Sequence, residues 1–201
     1  VAALLADDAV DGVVVTHGTD VLEESAYLCD LTIDSSKPIV FTGAMRSASD
    51  VGYEGFANLA AAIHVAASDA ACGLGTLVVF NDEIHAAREA TKTHTTALDT
   101  FQSPEFGALG RVYGCSPQRT DGGVVFAHRP THREFIATTR LEPNVHLLKI
   151  VVGMSEELLE HLRNLGARGI VLETLGGGRV PPWWLPAIER AMNSGVAIVI
   201  T

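Results

Sequence analysis

Three apolar runs most constrain what this chain can fold into: AVDGVVVTHG (9–18), KPIVFTG (37–43) and LGTLVVFND (74–82). Each is bounded by turn residues, and none alternates apolar with polar. A strand that is apolar throughout suits a parallel sheet covered on both faces. Between the runs the spacing becomes helical. Leu22, Ala26, Cys29 and Ile33 share one helical face, and GFANLAAAIHVAAS (55–68) predicts a helix that buries Phe56, Leu59, Ile63 and Ala67. Alternating β and α with short Gly-, Pro- and Asp-marked connections predicts right-handed βαβ units on a parallel sheet.

From about Glu83 to Arg140 the periodicity fails. GRVYG and GGVVFAH read there as a β-hairpin. The segment 128–146 carries charges, prolines and little apolar pattern, which predicts a linker between a first domain, 1–127, and a second, 147–201. In the second, VHLLKIVVG, SEELLEHLRNLG, ARGIVLE, PPWWLPAIERAMNSG and VAIVIT predict β, α, β, α, β. Ser155 is the expected N-cap, Gly166 and Gly195 the expected helix ends, and Pro181 with Pro182 the expected helix start. VAALLADDAVDG reads as the tail of a helix already under way and VAIVIT as a final uncovered strand, so both domains read as truncated.

With 14 basic and 24 acidic residues the net charge is −10, and no Lys/Arg cluster forms a phosphate-tracking stripe. Nucleic acid is not an expected partner. No apolar run reaches the roughly 18 residues of a membrane helix, and no membrane partner is expected. Cys29, Cys72 and Cys115 are scattered and odd in number, which predicts free thiols rather than a disulfide or metal framework. That favours a reducing compartment, the cytoplasm first, with periplasm and secretion left open by the missing N-terminus. His128 and His132 have ligand spacing, but Pro130 between them disrupts the helix that such a pair needs. No metal site is expected.

Ligands of open parallel sheets bind beyond the carboxyl ends of the strands, and THGTD (16–20) occupies such a place. Asp20 and Glu23 have the spacing of a capping box, so Asp20 is expected to cap the following helix and also to be available to orient an amine or a lysine. Thr19 is a candidate nucleophile that needs a base. Lys92, among Thr91, Thr93, Thr95 and Thr96, is a candidate for that base if held near a carboxylate; the alternative is a solvated loop lysine. LGGGRVPP (175–182) lacks both phosphate-binding glycine patterns and reads as a turn that allows close approach of a backbone or small ligand.

DGVVVTHGTDVLEESAYLCDLT, KPIVFTGAMR, GYEGFANLAAAI, FNDEIHAAREATKTHTT, FQSPEFGALG and GIVLETLGGG together resemble, in order and spacing, the bacterial-type L-asparaginases and glutaminase-asparaginases. The resemblance implies a flavodoxin-like parallel α/β domain followed by a smaller parallel α/β domain. It also implies hydrolysis of L-asparagine, with L-glutamine as the second candidate substrate, no cofactor, and a homo-oligomer, a dimer or tetramer. By the same resemblance Thr19, Asp20 and Lys92 form the catalytic group, Asp20 also binds the substrate amine, and a backbone group near Ala44 contacts the substrate. The family's first catalytic threonine, in a TGGTI-like segment, has no counterpart before Val1, so the 201 residues alone are expected to be inactive. Gly177, Gly178 and Arg179 depart from the family's Gly-Asn-Gly-Asn loop. Two further readings stand beside the enzyme: an asparaginase-like subunit that supplies ammonia to a tRNA-dependent amidotransferase, and a non-catalytic amino-acid-binding protein of the same fold.

Overall fold

A computed structural model describes residues 1–114, 123–130 and 133–201. Cys115 and His132 lie outside the described residues. The chain forms two compact units, Val1–Thr138 and Thr139–Thr201.

The first unit opens with a short helix α1 (Ala2–Leu5), then β1 (Val13–Thr16), α2 (Leu22–Thr32), β2 (Ile39–Thr42), α3 (Gly55–Ala66) and β3 (Thr76–Phe80). β1, β2 and β3 pair in parallel and in register, Val13 opposite Ile39 and Ile39 opposite Thr76. Every residue of β2 and β3 is buried, which is why these runs carry no polar alternation. Leu22, Ala26, Phe41, Val78 and Phe80 pack on the α2 face. On the α3 face the packing is Val40, Ala61, Ala62, Val65, Leu77 and Val79. Each large side chain removed from water in this way contributes roughly 1.5–3 kcal/mol.

Beyond β3 the sheet stops being parallel. Asn81 and Asp82 both have positive φ, 49° and 61°, the requirement of a two-residue hairpin turn. They send β4 (Glu83–Ala86) back antiparallel to β3, with Phe80 opposite Glu83. A two-pair ribbon, β5 (Thr91–Lys92) with β6 (Phe101–Gln102), comes next. The expected hairpin is β7 (Gly110–Tyr113) with β8 (Gly123–Phe126). The six-stranded sheet runs β1-β2-β3-β4-β7-β8. The parallel sheet expected of the domain is therefore its first three strands, and an antiparallel half follows.

The expected apolar stripe of α3 is corrected. Asn58, Ala61, Ala62 and Val65 are buried, whereas Phe56 and Ile63 are 77% and 52% exposed and Ala67 is also exposed. The helix presents its small side chains because it lies close to the chain beneath: a Cβ on Gly12 would come within 2.4 Å of the Ala66 carbonyl oxygen. Large side chains at those positions would hold the helix off. On α2 the expected face does point inward, with a polar addition. Asp30 is buried, accepts the Thr76 N–H at 2.8 Å, and meets the Arg133 Nε at 3.1 Å. Arg133 also donates to the carbonyls of Asp30 and Ile33, and Ile136 N–H donates to Leu31.

The second unit has β9 (Val145–Lys149), α4 (Glu157–Asn164), β10 (Gly169–Glu173), α5 (Leu185–Asn193) and β11 (Ala197–Ile200). Its three strands are parallel in the order β11-β10-β9. Trp184, Leu159, Ile170 and Leu172 centre its core. Gly166 and Gly195 end their helices at φ 87° and 88°, and Pro182 opens a 3₁₀ turn before α5. Ser155 is not the N-cap of α4. Glu156 is, and Ser155 accepts the Glu157 N–H from one position earlier at 3.4 Å. In the glycine loop Leu175 bridges Arg179 across a turn whose Gly177 and Gly178 have positive φ. Among the described residues no helix is long and apolar enough to cross a membrane.

Candidate active site

β1 delivers the site. Its last residue is Thr16, and the His17 N–H still donates to the Thr42 carbonyl of β2 at 2.9 Å. The chain then leaves the sheet through Gly18. The His17 ring is held on both nitrogens: Nδ1 donates to the Gly18 carbonyl at 2.7 Å, and Nε2 accepts from Ser25 at 3.1 Å. Thr19 and Asp20 follow at the entry to α2.

Lys92, on β5, reaches both of them. Its Nζ donates to Thr19 Oγ1 at 3.0 Å and to Asp20 Oδ1 at 2.7 Å. Its side chain is 15% exposed and that of Asp20 93%. The hydrogen bond from Lys92, and then its charge, hold the Asp20 carboxyl below its ordinary value. An ion pair so open to water contributes little to stability. What the arrangement supplies is chemistry: a hydroxyl, an amine and an anionic oxygen in one hydrogen-bonded chain, with the remaining carboxylate oxygen turned to solvent.

The expected capping box is not formed. Val21 is the N-cap of α2 and has no side-chain cap bond. Glu23 instead accepts the Thr91 hydroxyl at 3.2 Å and the Lys92 backbone N–H. Sequence spacing could not find this partner, 69 residues away, and attributed Glu23 to its own helix end.

Ala44 lies elsewhere. It lines a groove of about 330 Å³ with Thr16, His17, Gly18, Gly43 and Tyr53, whereas Asp20 and Lys92 line one of about 240 Å³ with Thr93, His94 and Thr95. Thr19 stands in the chain between Gly18 of the first groove and Asp20 of the second. The turn that carries Ala44 is secured from the start of α3 by two side chains four residues apart, those of its N-cap residue Glu54 and of Asn58. Glu54 Oε1 accepts the Met45 N–H, and Asn58 Nδ2 donates to the Gly43 carbonyl at 3.0 Å. Asn58 Oδ1 accepts the Asn81 N–H at 3.1 Å, joining the loops after β2 and β3. His94 Nδ1 accepts two backbone N–H groups, from Thr96 and Ala97, each at 3.1 Å. Sequence reasoning did not identify Glu54, Asn58 or His94. A hollow of about 340 Å³ lined by Arg88, Phe106, Leu109 and His128 contains neither Thr19, Asp20 nor Lys92, so volume does not choose the site. Among the described residues no group of three His, Cys, Asp or Glu gathers as a metal site would require.

A family model described as asparaginase, N-terminal, matches residues 1–122. The chain belongs to the asparaginase family. A second model, the glutaminase/asparaginase C-terminal domain, matches 144–201 of this asparaginase-family chain. The L-asparaginase of Bacillus licheniformis is 38% identical over 196 residues, 97% of this chain and 58% of that protein. A probable periplasmic L-asparaginase of Haemophilus influenzae is 38% identical, covering 95% of this chain and 54% of its own. Probable L-asparaginase 4 of Schizosaccharomyces pombe is 42% identical over 178 residues, 88% of this chain and 49% of that one. The chain thus spans about half the length of these relatives.

Proposed function

We propose that the protein carrying this chain is an amidohydrolase that converts L-asparagine to L-aspartate and ammonia. The observation that carries the reading is the Lys92 ammonium hydrogen-bonded at once to the Thr19 hydroxyl and the Asp20 carboxylate. In the proposed cycle the Lys92 ammonium first gives a proton to solvent; the amine then takes the Thr19 proton, and Asp20 carries the counter-charge of the ammonium re-formed. The Thr19 oxygen then attacks the amide carbon, or takes a proton from a water that does so. Lys92 returns the proton to the departing ammonia as the C–N bond breaks, and on the direct route a water then hydrolyses the Thr19 ester, which releases L-aspartate and restores the hydroxyl. The solvent-facing oxygen of Asp20 receives the substrate's α-ammonium, and the oxyanion is assigned to backbone groups of the Ala44 turn, which lines the groove on the other side of Thr19.

The names of the relatives support asparagine as the substrate, and glutamine is the second candidate. Because the chain spans about half of those proteins, we assign turnover to its longest natural form, expect the 201 residues alone to be inactive, and propose a homo-oligomer. Free Cys29 and Cys72 support a reducing compartment, the cytoplasm first.

The deciding experiment is ammonia release from L-asparagine and from L-glutamine by the longest natural form, beside its Thr19→Ala variant. Release from asparagine that is lost in the variant is the expected result. A folded protein that binds asparagine and releases nothing overturns the hydrolase and leaves the non-catalytic binding protein.

A further inference from the structure

Glu23 sits in the first turn of α2, three residues after Asp20. An acidic side chain there would ordinarily serve its own helix, by reaching back to the cap or facing the exposed N–H groups. This one does neither. Its two oxygens are taken by consecutive residues of β5, Oε1 by the Thr91 hydroxyl and Oε2 by the Lys92 backbone N–H.

That use matters because the other bonds of β5 run away from the loop that carries Thr19 and Asp20. The β5–β6 ribbon consists of two residue pairs, extended by the Thr93 and His94 N–H groups donating to Thr100, and it is seated through Phe101 stacked on Phe80. Lys92 nevertheless has to bring an ammonium on a flexible four-carbon stem to two oxygens on the loop before α2. Anchoring the Lys92 backbone to the start of that same helix ties both ends of the Lys92–Thr19–Asp20 chain to one rigid element. Hydrogen bonds to a carboxylate acceptor are roughly twice as strong as those between neutral groups, which suits them to the purpose.

We propose that Glu23 is a positioning residue, which pins Thr91 and Lys92 to the start of α2 and thereby sets Lys92 Nζ against Thr19 Oγ1 and Asp20 Oδ1. Its consequence for turnover rests on the amidohydrolase reading. The clamp itself is a geometric relationship and is testable without substrate.

Asp20 reports whether Lys92 is in place, since Lys92 is what lowers its titration. The experiment follows the Asp20 carboxyl by carbon-13 NMR in the longest natural form and in Glu23→Ala, Glu23→Gln, Glu23→Asp and Glu24→Ala. In Glu23→Ala the titration midpoint is expected to rise toward the ordinary carboxylate value, as it does in Lys92→Met. Glutamine can accept the Lys92 N–H through its amide oxygen and donate to the Thr91 hydroxyl, so Glu23→Gln is expected to keep most of the lowering. The shorter Glu23→Asp is expected to lose part of it. The exposed neighbour variant Glu24→Ala is expected to match the parent. An unchanged Asp20 midpoint in folded Glu23→Ala overturns the clamp. A Glu23→Gln displaced as far as Glu23→Ala overturns it as well, by assigning the effect to charge. Should the alanine variant fail to fold, Glu23→Asp decides: a midpoint identical to the parent's rejects the proposal. In parallel, kcat for asparagine is expected to fall at least tenfold in Glu23→Ala with KM changed less, and to recover in Glu23→Gln. Asp20 midpoints that follow the clamp in a protein with no turnover would leave Glu23 standing and remove the amidohydrolase reading alone.

Discussion

The Lys92 ammonium stands 3.0 Å from the Thr19 hydroxyl, across 73 residues of sequence. Neither residue has a structural need for the other: the contact lies at the mouth of an open groove, and the fold's cores are elsewhere. A contact of this kind is expected to show in rate before it shows in stability. Thr19→Ala and Lys92→Met, each in the longest natural form, should lower kcat for asparagine by at least about a hundredfold, the range for loss of an acid-base partner. Melting temperatures should stay within a few degrees of the parent's. Steady-state kinetics beside calorimetry checks both halves, and near-parental kcat in either variant removes that residue from the mechanism.

Asp20 is a test of the abandoned capping role. Its side chain is 93% exposed and gives no bond to α2. Asp20→Ala should therefore abolish asparagine binding, read by isothermal titration, while thermal unfolding hardly moves. A large loss of melting temperature with binding intact would restore the cap.

His85 gives a stability prediction with a definite sign. It is buried, accepts or donates one bond at Nδ1 with Ser103 at 2.9 Å, and has Nε2 without a hydrogen bond, 3.5 Å from Glu83. Burial lowers its pKa below the ordinary 6.5, and Glu83 opposes that only in part. The unfolded chain therefore binds a proton that the folded chain refuses. Stability is fully present above about 6.5 and falls as the pH drops below it toward the folded value. Thermal unfolding from pH 7.5 to pH 5.5 should show a shallower loss in His85→Leu than in the parent, whatever the change in absolute stability. Parallel curves would count against a neutral buried imidazole.

Gly73 and Gly75 make a matched pair. Both have positive φ, 73° and 80°. A Cβ at Gly73 meets nothing within 4 Å, while one at Gly75 would fall 2.2 Å from Asp30 Oδ1, the oxygen that accepts Thr76 N–H and Arg133 Nε. Gly73→Ala should cost about 1–2 kcal/mol, the backbone penalty alone. Gly75→Ala should cost that and a further ~1–3 kcal/mol, because Asp30 must give up bonds held in a buried place. Denaturant unfolding of the two variants measures the difference, and equal losses would show that Asp30 moves freely.

By itself the sequence determined the alternation of β1, α2, β2, α3 and β3, the strand-helix-strand order of the second unit, the β7–β8 hairpin, and the emergence of Thr19 and Asp20 at a strand's carboxyl end. Those features rest on period, turn chemistry and residues within a few positions of one another, which is information that local sequence holds. Tertiary structure decided the rest. Which stripe of α3 faces the sheet depended on how closely the helix lies to Gly12 and the strands, so the small residues won over Phe56 and Ile63. Asn81 and Asp82 read as the end of a strand until both took positive φ and turned the sheet antiparallel. Glu23 fitted a local capping pattern, yet its carboxylate found Thr91 and Lys92, because a hydrogen bond between distant segments exists only after the fold has brought them together.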